Sequence, residues 1–140
     1  MTPTPTAREN AAAFGLAALM LAAGAAHFLV PDRYAAIVPE SLGSPRAWVY
    51  GSGVAEIAGA ALVALPRTRR FGGWYVAALL VAVFPANVKM ALDGGVPGES
   101  GVLGSATVAW LRLPLQIPLV LWALYVARAA RNREAVLARR

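Results

Sequence analysis

A chain of 140 residues in which 59% are hydrophobic and 14% charged, with a mean hydropathy of +0.57, is too apolar for an ordinary soluble domain, where about a quarter of residues are charged. The net charge of +6 would suit a nucleic-acid surface, but the basic residues are sorted by loop and form no binding stripe. Without cysteine the chain forms neither a disulfide nor a catalytic thiol, and any thiol chemistry would need a partner.

An all-α, four-helix transmembrane bundle is therefore expected. About 20 apolar residues cross a bilayer, and the candidate spans are Ala11 to Val30, Trp48 to Leu65, Phe71 to Met90 and Gly104 to Val126. Residues 1–10 read as a lead whose alternating Thr and Pro hold no helix, 11–127 as one membrane domain, and 128–140 as a basic tail. Ala23-Gly24-Ala25 after an apolar run also resembles a signal cleavage site, but the run continues through His27-Phe28-Leu29-Val30, which favours a retained first helix.

Pro31 to Pro39 mixes charge with Tyr, Ile and Val and suits a short element at the outer interface. Ser41 to Pro45 is a turn, and Trp48 and Tyr50 stand where aromatic side chains anchor at headgroups. Pro66 ends span two, so spans two and three are antiparallel neighbours across the arginine-rich loop 66–70. Asp93 to Gly101 is a Gly/Pro loop. The arginines of loop 66–70 and of the tail lie on one side and the near-neutral or acidic loops on the other, so the positive-inside rule places both termini in the cytoplasm of an inner membrane.

Few polar side chains interrupt the spans: His27, Glu56, Asn87, Lys89, Arg112 and Gln116. Counting about 1.5 Å per residue from the cytoplasmic edge places Glu56 near the midplane and His27, Asn87, Arg112 and Gln116 beyond it. Shared depth makes His27, Glu56, Asn87, Arg112 and Gln116 the candidate pocket residues, because ionisable groups persist in spans when they face one another, a cavity or a ligand. Arg112 and Gln116 share a helix face, as do Ser52 with Glu56 and Gly24 with His27. Lys89 lies about 200° around from Asn87 and is expected to snorkel outward.

A carboxylate near the bilayer centre is protonated or paired. Arg112 is the natural partner, so an ion pair between helices two and four is expected, either fixing the packing alone or also serving a ligand or proton site. His27 suits a histidine bonded to a carbonyl or an acid/base group, and the amides of Asn87 and Gln116 suit either interhelical ties or a pocket. Small residues along span two allow close helix approach. Pro85 precedes Asn87, and Pro114 and Pro118 flank Gln116; each frees a carbonyl one turn earlier that must find a partner or line a cavity. No Walker loop, dinucleotide fingerprint or metal-ligand spacing is present, and one histidine without cysteine does not suggest zinc.

The strings Gly24-Ala25-Ala26-His27-Phe28, Ser52-Gly53-Val54-Ala55-Glu56-Ile57, Pro66-Arg67-Thr68-Arg69-Arg70, Phe84-Pro85-Ala86-Asn87 and Arg112-Leu113-Pro114-Leu115-Gln116 resemble those of DoxX-like membrane proteins, as does Pro31 through Tyr34 to Ile37-Val38-Pro39. The resemblance covers about residues 12–127. It implies a four-helix membrane bundle and a quinone-side or accessory role in a redox assembly, with a redox protein or a second copy as partner. The leading expectation is a multi-pass membrane protein that binds a quinone-like lipophile or serves as a membrane subunit. The alternatives are an enzyme on a lipophilic substrate with His27 or Glu56 as acid/base, an oligomeric proton-coupled transporter, and a purely structural partner protein.

Overall fold

A computed structural model describes residues 5–99 and 101–138. Among them the chain is helical throughout, without a named strand. The elements are α1 (Ala7–Leu29), α2 (Pro31–Ala35), α3 (Pro45–Ala64), α4 (Arg69–Leu92) and α5 (Ala106–Ala138). Four of these, α1, α3, α4 and the stretch Ala106–Asn132 of α5, are long and apolar enough to cross a membrane. Large apolar side chains such as Leu21, Val54, Trp74, Val81 and Ile117 stay exposed on their outer faces. A surface of that kind fits hydrocarbon better than water, and the protein is an integral membrane protein.

The helix starts follow from local chemistry. Thr6 and Glu9 cap one another reciprocally at the head of α1: the Thr6 Oγ1 accepts from the Glu9 amide at 3.2 Å and the Thr6 amide donates to Glu9 Oε2 at 2.9 Å. This box sets α1 going at Ala7, four residues ahead of the expected start and inside the stretch read as a structureless lead; residues 1–4 of that lead lie outside the described residues. Pro31 and Pro45 begin α2 and α3, where a missing amide hydrogen is harmless. At the other extreme α5 runs unbroken through Pro114 and Pro118 and on to Ala138, so the basic tail prolongs the last helix.

The long helices alternate in direction. One end of the bundle holds the start of α1, the end of α5 and the 66–70 connection; the far end holds α2 and the α4–α5 loop. α1 packs chiefly on α3, α4 on α5, and α3 joins the pairs through α4. Glycines permit the tightest crossings: a Cβ on Gly24 would stand 2.8 Å from the Gly53 carbonyl oxygen, and one on Gly72 would stand 2.6 Å from the Leu62 carbonyl carbon. The main core, with Leu16, Met20, Val63, Val76 and Val126, fills the half near the termini. A smaller cluster of Ile37, Met90, Ala91 and Ala109 closes the far end.

Candidate functional site

At the end of α1 the ring of His27 turns onto α3. Its Nδ1 lies 2.9 Å from the Ala23 carbonyl oxygen, and since a carbonyl only accepts, Nδ1 carries the hydrogen and donates it there. The same nitrogen is 3.3 Å from Oε2 of Glu56. That distance makes an ion pair whenever the imidazole is protonated, yet the Nδ1 hydrogen is committed to Ala23, and Glu56 Oε2 is buried without a hydrogen-bond donor. His27 and Glu56 are 7% and 8% exposed, so this is a carboxylate oxygen held away from water with no directed partner, which is unfavourable for a polar atom.

The ion pair expected between Glu56 and Arg112 does not form; His27 takes the place beside Glu56. Arg112 leaves α5 on another side, its Nη1 donating to the Met90 thioether at 3.6 Å. Glu56 and Arg112 both lie near enough to Tyr34 to act on its hydroxyl, but position along a helix carries no information on azimuth, and the glycine crossing of α1 and α3 brings His27 against Glu56 first. A Cβ on Gly53 would lie 2.8 Å from the His27 Cβ, a measure of how close the two helices run.

Tyr34 joins the two halves of the site. Its ring stacks on His27 with centroids 3.9 Å apart and planes 22° from parallel, and it also walls a cavity of about 350 Å³. Burial pushes the Tyr34 hydroxyl above its usual pKa of 10.0, with Arg112 pulling down and Glu56 pushing up more weakly. It is a neutral donor at physiological pH. The apolar wall comes from Ala26, Val30, Ile37, Met90, Val96 and Val108, and the charged groups at the cavity are Arg33, Glu99 and Arg112.

Loop geometry holds this cavity shut on one side. Arg33 Nε donates to Glu99 Oε1 at 2.6 Å, tying α2 to the α4–α5 loop. That loop is pinned by a bridge between Gly95 and Ser105 and by the Val96 amide donating to the Gly104 carbonyl at 2.8 Å. Gly95 has φ +117, and a Cβ there would meet the Gly104 oxygen at 2.1 Å, so only glycine fits.

Other polar residues of the spans do separate jobs. Gln116 is buried and its Nε2 donates to the Leu80 carbonyl oxygen of α4, one residue before Val81, whose carbonyl is the one that Pro85 leaves without a helical donor. It is an interhelical tie and does not line the cavity. Asn87 is half-buried, with no side-chain hydrogen bond among the described residues, and lies off the cavity wall. Lys89 pairs with Asp93 at the end of α4, as a snorkelling lysine should. Of the five candidate pocket residues, the structure brings His27 and Glu56 together beside Tyr34, puts Arg112 on the cavity wall, and leaves Asn87 and Gln116 elsewhere.

A family profile for a domain of unknown function, DUF8561, matches residues 16–127, from the middle of α1 to the start of the basic end of α5. The chain belongs to this family. Neither the curated proteins nor the solved structures contain a match to it.

Two residues of this DUF8561 protein matter more than their sequence context suggested. Tyr34 was placed only as part of an interfacial element; the available signal was a tyrosine seven positions after the lone histidine, set between two prolines. The sequence does not set Arg69 apart from the other arginines of loop 66–70, yet it is 1% exposed. Its Nε donates to Val63 O at 3.0 Å, Nη2 to Ala64 O at 3.1 Å and Nη1 to Asn10 Oδ1 at 2.9 Å, and its guanidinium carbon stands 5.4 Å from the centre of the Phe14 ring. It caps the end of α3 and ties it to α1.

Proposed function

We propose that this DUF8561 membrane protein binds a lipophilic small molecule in the far-end cavity. The observation that carries the reading is the cavity itself: about 350 Å³ of apolar wall with a few polar groups, Tyr34 and Arg112 among them, within the range of about 300–1,000 Å³ usual for small-molecule sites. A head bearing hydrogen-bond acceptors fits the two donors. Quinone-like molecules, the class implied by the DoxX-like resemblance, carry such acceptors on a lipophilic body. Reduction or oxidation of a quinone would need electrons from a partner subunit, since the chain offers no thiol.

One observation favours a second reading. Glu56 is not neutralised by Arg112, which an acid/base role for Glu56 or His27 on a lipophilic substrate requires. Neither side chain lines the cavity wall, so binding ranks first. We also place both termini and the 66–70 connection in the cytoplasm, from the loop charges; reporter fusions at Arg140 and after Gly98 should report opposite compartments, cytoplasmic for the first.

The test of binding is purification in a mild detergent that keeps lipids, followed by mass spectrometry of what co-purifies. A stoichiometric lipophile is expected with the native protein and not with Val108→Trp, which fills the cavity. A lipophile retained equally by both, or none with either, would refute the reading.

A further inference from the structure

We infer that the cavity selects a lipophilic anion: an amphiphile whose acidic headgroup, carboxylate or phosphate, pairs with Arg112. The inference rests on the small-molecule reading above and names the charge of the ligand.

Charge balance at the cavity points that way. Its ionic groups are Arg33, Glu99 and Arg112. Arg33 and Glu99 satisfy each other at 2.6 Å, which leaves Arg112. Among the described residues no carboxylate lies within ion-pair distance of it, and its one hydrogen bond runs to the Met90 thioether at 3.6 Å, a weak acceptor. A guanidinium has five N–H donors in a rigid fork shaped for two oxygens of a carboxylate or phosphate. Most of that fork is unspent.

Glu56, the carboxylate within the spans, is held elsewhere too. It sits against His27, whose ring stacks on Tyr34, and makes no ion pair with Arg112, so the far end contains a cation and a carboxylate that do not contact each other. A neutral head such as a quinone would take hydrogen bonds from Arg112 but leave its charge uncompensated beside a mostly apolar wall. An anion meets both needs. The headgroup could come from a free single-chain acid or from an anionic phospholipid of the bilayer, and the chemistry at Arg112 is the same for either.

The experiment compares four probes on the full-length protein in nanodiscs of zwitterionic phosphatidylcholine: oleate, its neutral methyl ester, a short-chain ubiquinone and phosphatidylglycerol. Binding is read by native mass spectrometry. Oleate should bind at least about tenfold more tightly than methyl oleate, as one charge-assisted contact implies; Arg112→Gln should abolish that preference, and Arg112→Lys, which keeps the charge, should keep part of it. Methyl oleate binding the native protein as tightly as oleate would overturn the inference, and this comparison needs no variant to fold. So would a preference that survives in Arg112→Gln. Ubiquinone binding without oleate binding would sink the anion and leave the small-molecule reading standing; no binding by any probe would sink both. Displacement of oleate by phosphatidylglycerol would assign the site to the bilayer's own lipid, and persistence of oleate to a free acid.

Discussion

Arg69 and Arg112 are the same residue put to opposite uses at opposite ends of one bundle. Arg69, near the termini, is 1% exposed and donates to two backbone carbonyls and an asparagine. Arg112 is exposed, stands at a cavity wall and donates to a single thioether. Around Arg69 the core is packed and apolar; beside Arg112 lie the cavity and Tyr34, and the same end of the bundle holds a buried oxygen without a donor, on Glu56. A charge whose hydrogen-bonding capacity is met inside the protein is part of the scaffold, and one whose capacity is unmet is available to something else. Arg69 and Arg112 differ in burial as well as in partners, and both differences point the same way.

Removing Arg69 should give the largest effect. Arg69→Leu strands the Val63 and Ala64 carbonyls and Asn10, and a loss of about 3–5 kcal/mol, the usual cost of breaking a buried polar cluster from one side, is expected as a marked fall in melting temperature in detergent. A melting temperature within a degree or two of the native value would mean that Arg69 is no staple and that the two ends do not differ as described.

Next in size come the helix crossings. Gly24→Val puts a side chain where the Gly53 carbonyl already stands 2.8 Å from an added Cβ, and should destabilise by about 1–3 kcal/mol through overpacking. Gly51→Ala, on the same crossing pair of helices but with open space around it, should instead stabilise by about 0.5–1 kcal/mol through helix propensity. Equal effects at the two glycines would remove the close approach of α1 and α3 as the reason His27 meets Glu56.

The far end should tolerate loss of its charges. Glu56→Leu replaces an oxygen without a donor by apolar surface of similar size, so stability should be unchanged or higher, and Arg112→Gln should stay within about 0.5 kcal/mol because no protein carboxylate is left behind. A loss of several kcal/mol in both variants would restore the Glu56–Arg112 pair that the sequence alone suggested. The smallest effect expected is in the alkaline limb. Tyr34 has a raised pKa through burial, so its contribution to stability is whole below about pH 10 and is lost as pH rises through the folded value; Tyr34→Phe should flatten the melting temperature above pH 10 relative to the native protein. A limb of unchanged slope would mean that the Tyr34 hydroxyl is not buried in solution.

Much of the architecture was legible because it depends on one-dimensional quantities. Apolar length marked the four long helices, and the proline that opens the 31–39 element starts α2, whereas α3 begins at Pro45, read as the end of a turn, three residues ahead of Trp48. The site was legible only in part. Depth along a helix put Glu56, His27 and Arg112 in one half, but which of them touch depends on how far each helix turns, and that is set by Gly24 and Gly53, whose effect appears only when the helices cross. Gln116 illustrates the same limit: an amide inside a span must find a partner, but nothing in the sequence says that the partner is the Leu80 carbonyl, 36 residues earlier in the chain. The short basic loop 66–70 has too little periodicity to show which arginine turns inward; Thr68, whose Oγ1 donates back to the Leu62 carbonyl at 2.8 Å, sets the turn that carries Arg69 under α3.

The contrast between the two ends can be measured on one chain, because it has no cysteine and any introduced thiol is the sole target of a maleimide. Val108→Cys places the label in the cavity wall and Arg67→Cys places it in the exposed connection near the termini. With rising oleate or short-chain ubiquinone, labelling at Val108→Cys should slow and saturate while labelling at Arg67→Cys stays constant. Labelling at Val108→Cys that is indifferent to both probes, or slowed no more than at Arg67→Cys, would contradict a ligand site at the far end.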